Sequence, residues 1–238
     1  MNPIDEMLME TETTRAETPE GAEIIRPYAT RAWDELARMT LTPAEMIWGN
    51  FTLGENGSMF GPPGIGKSRI SLNSARNQVL STPFGGLPTC PRPLRHLLMG
   101  SENSIRRLQN DIRKMNAGLT HEQVAKLGAH IRLATLEGPE DSFISVASPV
   151  NVERWRATLD AFKPDVLWVD PWGDVLDGEG NKDEDARLTH SILSRLLRKA
   201  TPGDSTMIVM AHSRMGAKNL MTATGYDSGN YGKGSKAL

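Results

Sequence analysis

Gly61 to Ser68 read GPPGIGKS, and no other stretch restricts the fold of this chain as strongly. The run satisfies G-x-x-x-x-G-K-[ST], the pattern of a phosphate-gripping loop between a strand and a helix, at every fixed position. The spelling has a physical basis. Glycines at 61, 64 and 66 let the backbone take dihedrals that a side chain forbids, so it can curl around an anion. The amides then form an inward-facing nest, and the helix that starts there adds the positive end of its dipole. Lys67 can reach β- and γ-phosphates, and Ser68 can offer its hydroxyl to Mg²⁺. The nucleotide contacts expected from the loop are Gly61, Pro62, Pro63, Gly64, Ile65, Gly66, Lys67, Ser68 and Arg69. A bland Gly/Pro surface turn with a lysine in it is the alternative, and the flanking sequence decides between the two.

Those flanks alternate between strand and helix patterns. Ser58-Met59-Phe60 leads into the loop, and Ile70, Leu72, Ala75 and Val79 recur at helical spacing after it. A Pro/Gly-rich connector, 82–93, precedes an apolar strand at His96–Met99. An Arg-rich amphipathic helix follows over Ser104–Met115, then a short one over Thr120–Leu127 capped by Thr120. Ile131–Ala134 reads as a strand, and Val152–Phe162 as a helix that stops at Lys163-Pro164. Asp165–Asp170 is the most clearly written strand. Asp183–Lys199 is a helix with acids first and cations last, and Thr206–Ala211 is another buried strand. Strands alternating with helices predict an α/β fold with a mostly parallel sheet flanked by helices. Arg31–Met39 has helical spacing, with Trp33, Leu36 and Met39 roughly on one face, suited to packing on its own domain or on a neighbouring subunit.

Composition narrows the function classes. The 238 residues are 38% hydrophobic with a net charge of −2, so the chain as a whole has no pull toward nucleic acid. Any such site must be a local basic patch or be assembled from several subunits. Cys90 is the single cysteine, which excludes an internal disulfide framework and a cysteine-rich zinc site, and fits a cytoplasmic setting. No apolar run is long enough to span a bilayer. Residues 1–28 read as a flexible acidic N-terminal tail, and 29–238 as the ATPase-type domain.

Three strand ends carry polar residues. Asp170 closes VLWVD, and a carboxylate at the C-terminal tip of a parallel strand sits where open α/β sheets bind ligands. There it can hold Mg²⁺ with Ser68. Glu102 follows a second strand and can orient a water for attack on a γ-phosphate, or merely complement the dipole of the next helix. His212 follows MIVMA and can sense the γ-phosphate, or be an ordinary structural histidine. Asp174 and Asp177 read as solvated loop carboxylates without a catalytic role. Residues 213–236 are Gly-rich and mix Arg214, Lys218, Lys233 and Lys236 with Tyr226 and Tyr231. Such a loop suits single-stranded nucleic acid through phosphate pairing and base stacking, with a plain disordered tail as the competitor.

Taken in order, these runs resemble the RecA-like ATPases, and within them the RepA-type and DnaB-type hexameric replicative helicases. GPPGIGKS resembles Walker A, LLMGSENSIRRLQNDI the strand–Glu–helix segment, VLWVDPWGD the Walker B strand, IVMAHSR the sensor strand and GKGSKAL the finger segment. The resemblance implies ATP and Mg²⁺ as ligands, Glu102 as the residue that activates water, and His212 as the relay to the following loop. It implies Lys233, where RepA-type proteins carry Arg, as a cation reaching into the adjacent subunit's site. It also implies a hexameric ring acting on single-stranded DNA. Where the family often has two histidines, this chain has Ala211-His212. Relatives usually continue past the finger segment, so C-terminal strands are expected to be missing here. Two rival functions are a recombinase or repair mediator forming filaments on DNA, and an ATP-binding regulatory module that never touches nucleic acid.

Overall fold

The computed structural model describes residues 30–40, 45–101, 104–134, 144–176 and 183–212. The chain falls into two units, Met1–Thr42 and Pro43–Leu238, each taken here by itself. In the first, helix α1 forms over Trp33–Arg38. Arg31 pairs with Glu35 and Arg38 with Asp34, the four-residue spacing that supports a short helix.

The second unit opens with an antiparallel hairpin, β1 (Met46–Trp48) and β2 (Phe51–Thr52). Five parallel strands follow: β3 (Gly57–Gly61), β4 (His96–Gly100), β5 (Ile131–Leu133), β6 (Val166–Asp170) and β7 (Thr206–His212). Their spatial order is β3-β7-β6-β4-β5. The connecting helices are α2 (Lys67–Val79), α3 (Ile105–Met115), α4 (His121–His130), α5 (Pro149–Phe162) and α6 (Asp183–Ala200). This is the α/β fold that the alternating pattern predicts.

Two boundaries differ from the sequence reading, and one element is new. Helix α5 starts at Pro149, three residues before Val152, because proline's fixed φ suits a first helical turn. Helix α4 is longer than expected and runs directly into β5. At its start Thr120 accepts from the Gln123 amide while the Gln123 side chain accepts from the Thr120 amide. The hairpin was not anticipated, because strands of three and two residues carry too little periodicity to register. Its anchor is aromatic: Trp48 stacks near Phe51 and Phe84, and its Nε1–H donates to the Phe84 carbonyl at 2.8 Å.

Side-chain alternation along the strands builds two cores. Leu97, Leu167, Val169, Met207 and Val209 pack with Trp155, Leu159, Leu193 and Leu197 of α5 and α6. Leu98, Val166, Trp168, Ile208 and Met210 pack with Leu72 and Ala75 of α2 and with the hairpin. Period-two alternation puts Asp170 on the same face as Trp168, which is the face that α2 covers.

Candidate nucleotide-binding site

All five strands point the same way, so their C-terminal ends form one edge. Gly61 of β3 is level with His212 of β7, and Gly100 of β4 with Asp170 of β6. The loop from Gly61 to Ser68 leaves β3 at this edge and turns into α2. Gly64 and Gly66 have φ of 80° and 92°, in the left-handed region that glycine enters without strain. Gly66 is the N-cap of α2 and so has no side chain with which to cap it, and no acid lies in the first turn. The positive end of the helix is therefore not neutralised by the chain itself, which is the electrostatic condition for holding an anion.

Lys67 is 6% exposed, and its ammonium donates to the carbonyls of Gly61 at 2.9 Å and Pro62 at 3.1 Å. The side chain thus folds back across its own loop. A bound phosphate would draw the same ammonium toward itself. Ser68 and Asp170 line one small cavity, together with Ser71, Gly100, Leu98 and Trp168. Asp170 is 7% exposed. A serine hydroxyl and an aspartate carboxylate are hard oxygen donors of the kind that suit Mg²⁺. Ser71, unremarked in the sequence, donates its hydroxyl to the Ser68 carbonyl at 2.9 Å and also lines the cavity.

Arg69 leaves the loop. Its amide donates to the Gly66 carbonyl at 3.0 Å. Its guanidinium reaches Asp111 of α3 through two hydrogen bonds, at 3.1 and 3.3 Å. Asp111 was missed by the sequence reading, although it is the lone acid of an Arg-rich helix. Asp174 was read as a solvated carboxylate. It is exposed in the structure, and it also accepts a hydrogen bond from the Ser101 hydroxyl, joining the tip of β4 to the short helical turn Trp172–Asp174 after β6. Its four-residue distance from Asp170 was the available signal.

Glu102 lies two residues beyond the end of β4 and outside the described residues, as do Asp177, Lys233, Lys236 and the whole of 213–236. For His212 the backbone is described, as the last residue of β7 beside Gly61, but the side chain is not.

The far end of α2 is fixed by a buried polar network. Gln78 Oε1 accepts from the Leu94 amide at 2.9 Å, and its Nε2 donates to the carbonyls of Cys90 and Arg92 at 3.2 and 2.6 Å. His96 Nε2 contacts the same Oε1 at 3.0 Å, and Trp168 Nε1–H donates to His96 Nδ1 at 3.1 Å. That donor fixes the tautomer: Nε2 carries the proton. Burial, with a smaller push from His130, drives the His96 pKa down to about 3, so the ring is neutral. The network ties α2, β4 and β6 together beneath the phosphate loop.

Among the described residues no helix is long and apolar enough to cross a membrane. Comparison with curated proteins gave no match. A family model described as an AAA domain matches residues 25–218. That span contains the loop, the Asp170 strand and every strand of the parallel sheet, so the chain belongs to the AAA domain family of P-loop ATPases.

Proposed function

We propose that this P-loop ATPase is a RecA-like motor that forms a ring and acts as a helicase on single-stranded DNA. The observation that carries the reading is the shared cavity of Ser68 and Asp170 at the sheet edge, beside the Lys67 loop. Backbone N–H groups of the loop from Gly64 to Ser68 hold the phosphates of ATP, Pro62 and Pro63 having none to give, and Lys67 balances charge between the β- and γ-groups. Ser68 and Asp170 are the residues that would hold Mg²⁺, which when bound neutralises phosphate charge. Glu102 orients the attacking water. Lys233 completes the site of the neighbouring subunit, a role that can contribute on the order of 10³-fold to turnover. His212 ends the strand beside Gly61 and relays the state of the γ-phosphate to residues 213–231, which grip DNA. The ordered resemblance of five segments to RepA-type and DnaB-type helicases supports the ring and the DNA substrate.

The test is turnover and assembly measured together. ATP hydrolysis is followed with and without single-stranded DNA, and mass in solution is measured with Mg²⁺ and a non-hydrolysable analogue. A closed ring whose turnover rises with DNA is the expected result. A filament favours the recombinase reading. A protein that binds ATP but shows no salt-sensitive DNA binding is a regulatory module, and the motor reading is then wrong. Mixing Glu102→Gln with Lys233→Ala subunits should recover activity, because intact half-sites pair across the interface. No recovery would remove Lys233 from the trans role.

A further inference from the structure

Helix α3 carries four exposed cations, Arg106, Arg107, Arg113 and Lys114. Elsewhere on the surface Arg31, Arg38, Arg92 and Arg156 each face a carboxylate. Among the described residues none of the four α3 cations has an ion pair. Helical spacing gives the reason. Four residues after Arg106 stands Asn110, and four before Arg113 and Lys114 stand Gln109 and Asn110; only Asp111, four after Arg107 and three before Lys114, is an acid within helical reach. The one acid in the helix, Asp111, is turned inward, with its side chain 9% exposed and taken by Arg69.

The outer face of α3 is therefore a concentration of uncompensated positive charge on a chain whose net charge is −2. Arg106 and Arg113 are about 10 Å apart along the helix at 1.5 Å per residue. That separation lets the two side chains reach separate phosphates of one extended strand. Gln109 and Asn110 lie between them, exposed, and offer amide hydrogen bonds rather than aromatic faces. The chemistry fits a phosphate backbone and reads no base.

We infer that the outer face of α3 is a backbone contact for single-stranded nucleic acid, a second contact beyond the loop at 213–231. The inference rests on the DNA reading above. It also supplies a route to the nucleotide: Asp111 on the inner side of α3 is bonded to Arg69, the residue after Ser68. Load on α3 is transmitted through that pair to the first turn of α2.

The experiment is fluorescence anisotropy of labelled oligo(dT) across a salt series, with the full chain and with Arg106→Gln, Arg107→Gln, Arg113→Gln and Lys114→Gln combined. Glutamine has nearly the helix propensity of Arg and Lys, so the exposed helix should persist, and far-UV circular dichroism checks it. Each phosphate contact on a single strand contributes about 0.7 to the slope of log K against log salt. Losing two to four contacts should lower that slope by about 1.5–3 and weaken low-salt binding at least about tenfold. Turnover without DNA should be unchanged. A combined Arg→Glu and Lys→Glu version should bind more weakly still. If the parent binds with a steep salt slope and the glutamine variant matches it, this inference is wrong and the DNA motor stands. If the variant changes only the mass of the assembly, the face is a subunit interface and the inference is equally wrong. If the parent shows no salt-sensitive binding, the DNA reading itself fails and takes α3 with it.

Discussion

The two faces of the parallel sheet are built from the same strands and do different work. The face covered by α5 and α6 is mostly apolar, with Trp155, Leu159, Leu193 and Leu197 against Leu167, Val169, Met207 and Val209, and buries the hydroxyl residues Thr189 and Ser194 of α6. The face covered by α2 buries Lys67, Ser71, Ser74, Gln78, His96 and Asp170 among its apolar residues. Burying a polar group costs free energy unless each donor and acceptor finds a partner. The α2 face bears that cost in two places. At its lower end the Gln78–His96–Trp168 network satisfies its groups internally. At its upper end Ser68 and Asp170 line a cavity. The division proposed is that one face sets stability and the other holds groups in place for a ligand.

If that division is real, substitutions on the two faces should move different measurements. Trp155 is 2% exposed, and its Nε1–H donates to the Ile144 carbonyl at 2.9 Å. Trp155→Ala should cost about 3–5 kcal/mol in denaturant unfolding. Nucleotide affinity of the folded fraction should be unchanged. Lys67→Ala should do the reverse. Loss of one preorganised cation or donor is worth about 10²–10³-fold in turnover. Global stability should shift by no more than about 1 kcal/mol, since removing a buried ammonium also removes its desolvation cost. Unchanged hydrolysis would refute the role of the loop. A Lys67→Ala protein that fails to fold would break the division between the faces.

The uneven legibility of the sequence follows from the same physics. The phosphate loop, the buried strands and the helices could be read because each writes a local pattern: fixed glycines, apolar runs, or a 3.6-residue period. VLWVD predicted both the strand and the position of Asp170 at its tip. The Gln78 network could not be read, since its members lie 12 to 72 residues apart and meet only after folding. Asp111 and Asp174 look like ordinary surface acids until Arg69 and Ser101 are brought beside them. Carboxylates are usually solvated; Asp174 stays exposed beside Ser101, while Asp111, of which the sequence reading said nothing, is buried against Arg69.

The polar network on the α2 face also predicts a pH dependence. His96 has a folded pKa of about 3 against an ordinary 6.5. The unfolded chain therefore binds a proton that the folded one refuses. Stability from this group is fully present above the unfolded value and is lost as pH falls from 6.5 toward 3. At pH 5 the loss is about 2 kcal/mol, at about 1.4 kcal/mol per unit. His190, lowered by burial and then by Arg198, adds in the same direction. Urea midpoints from pH 7.5 to 5 measure the slope. His96→Gln should start less stable by about 1–3 kcal/mol, through imperfect pairing with Trp168 and Gln78, and respond less to acid. An equally steep response in that variant would place the titrating group elsewhere.

The smallest effect separates two glycines within the loop itself. At Gly66 a Cβ would meet nothing within 4 Å, yet φ is 92°. Gly66→Ala therefore has room but forces a side-chain-bearing residue into the left-handed region, at about 1–2 kcal/mol. At Gly61 the situation is inverted. The backbone is not left-handed, but a Cβ would lie 2.3 Å from Ile65 Cδ1. Ile65 is 54% exposed and can rotate away, so Gly61→Ala should cost under about 1 kcal/mol. In thermal scans Gly66→Ala should melt below Gly61→Ala, and adding ATP should recover less of the difference, because the strained residue relaxes by spoiling the amide nest. The reverse order would mean that crowding by Ile65, and not backbone dihedral strain, dictates the shape of the phosphate loop.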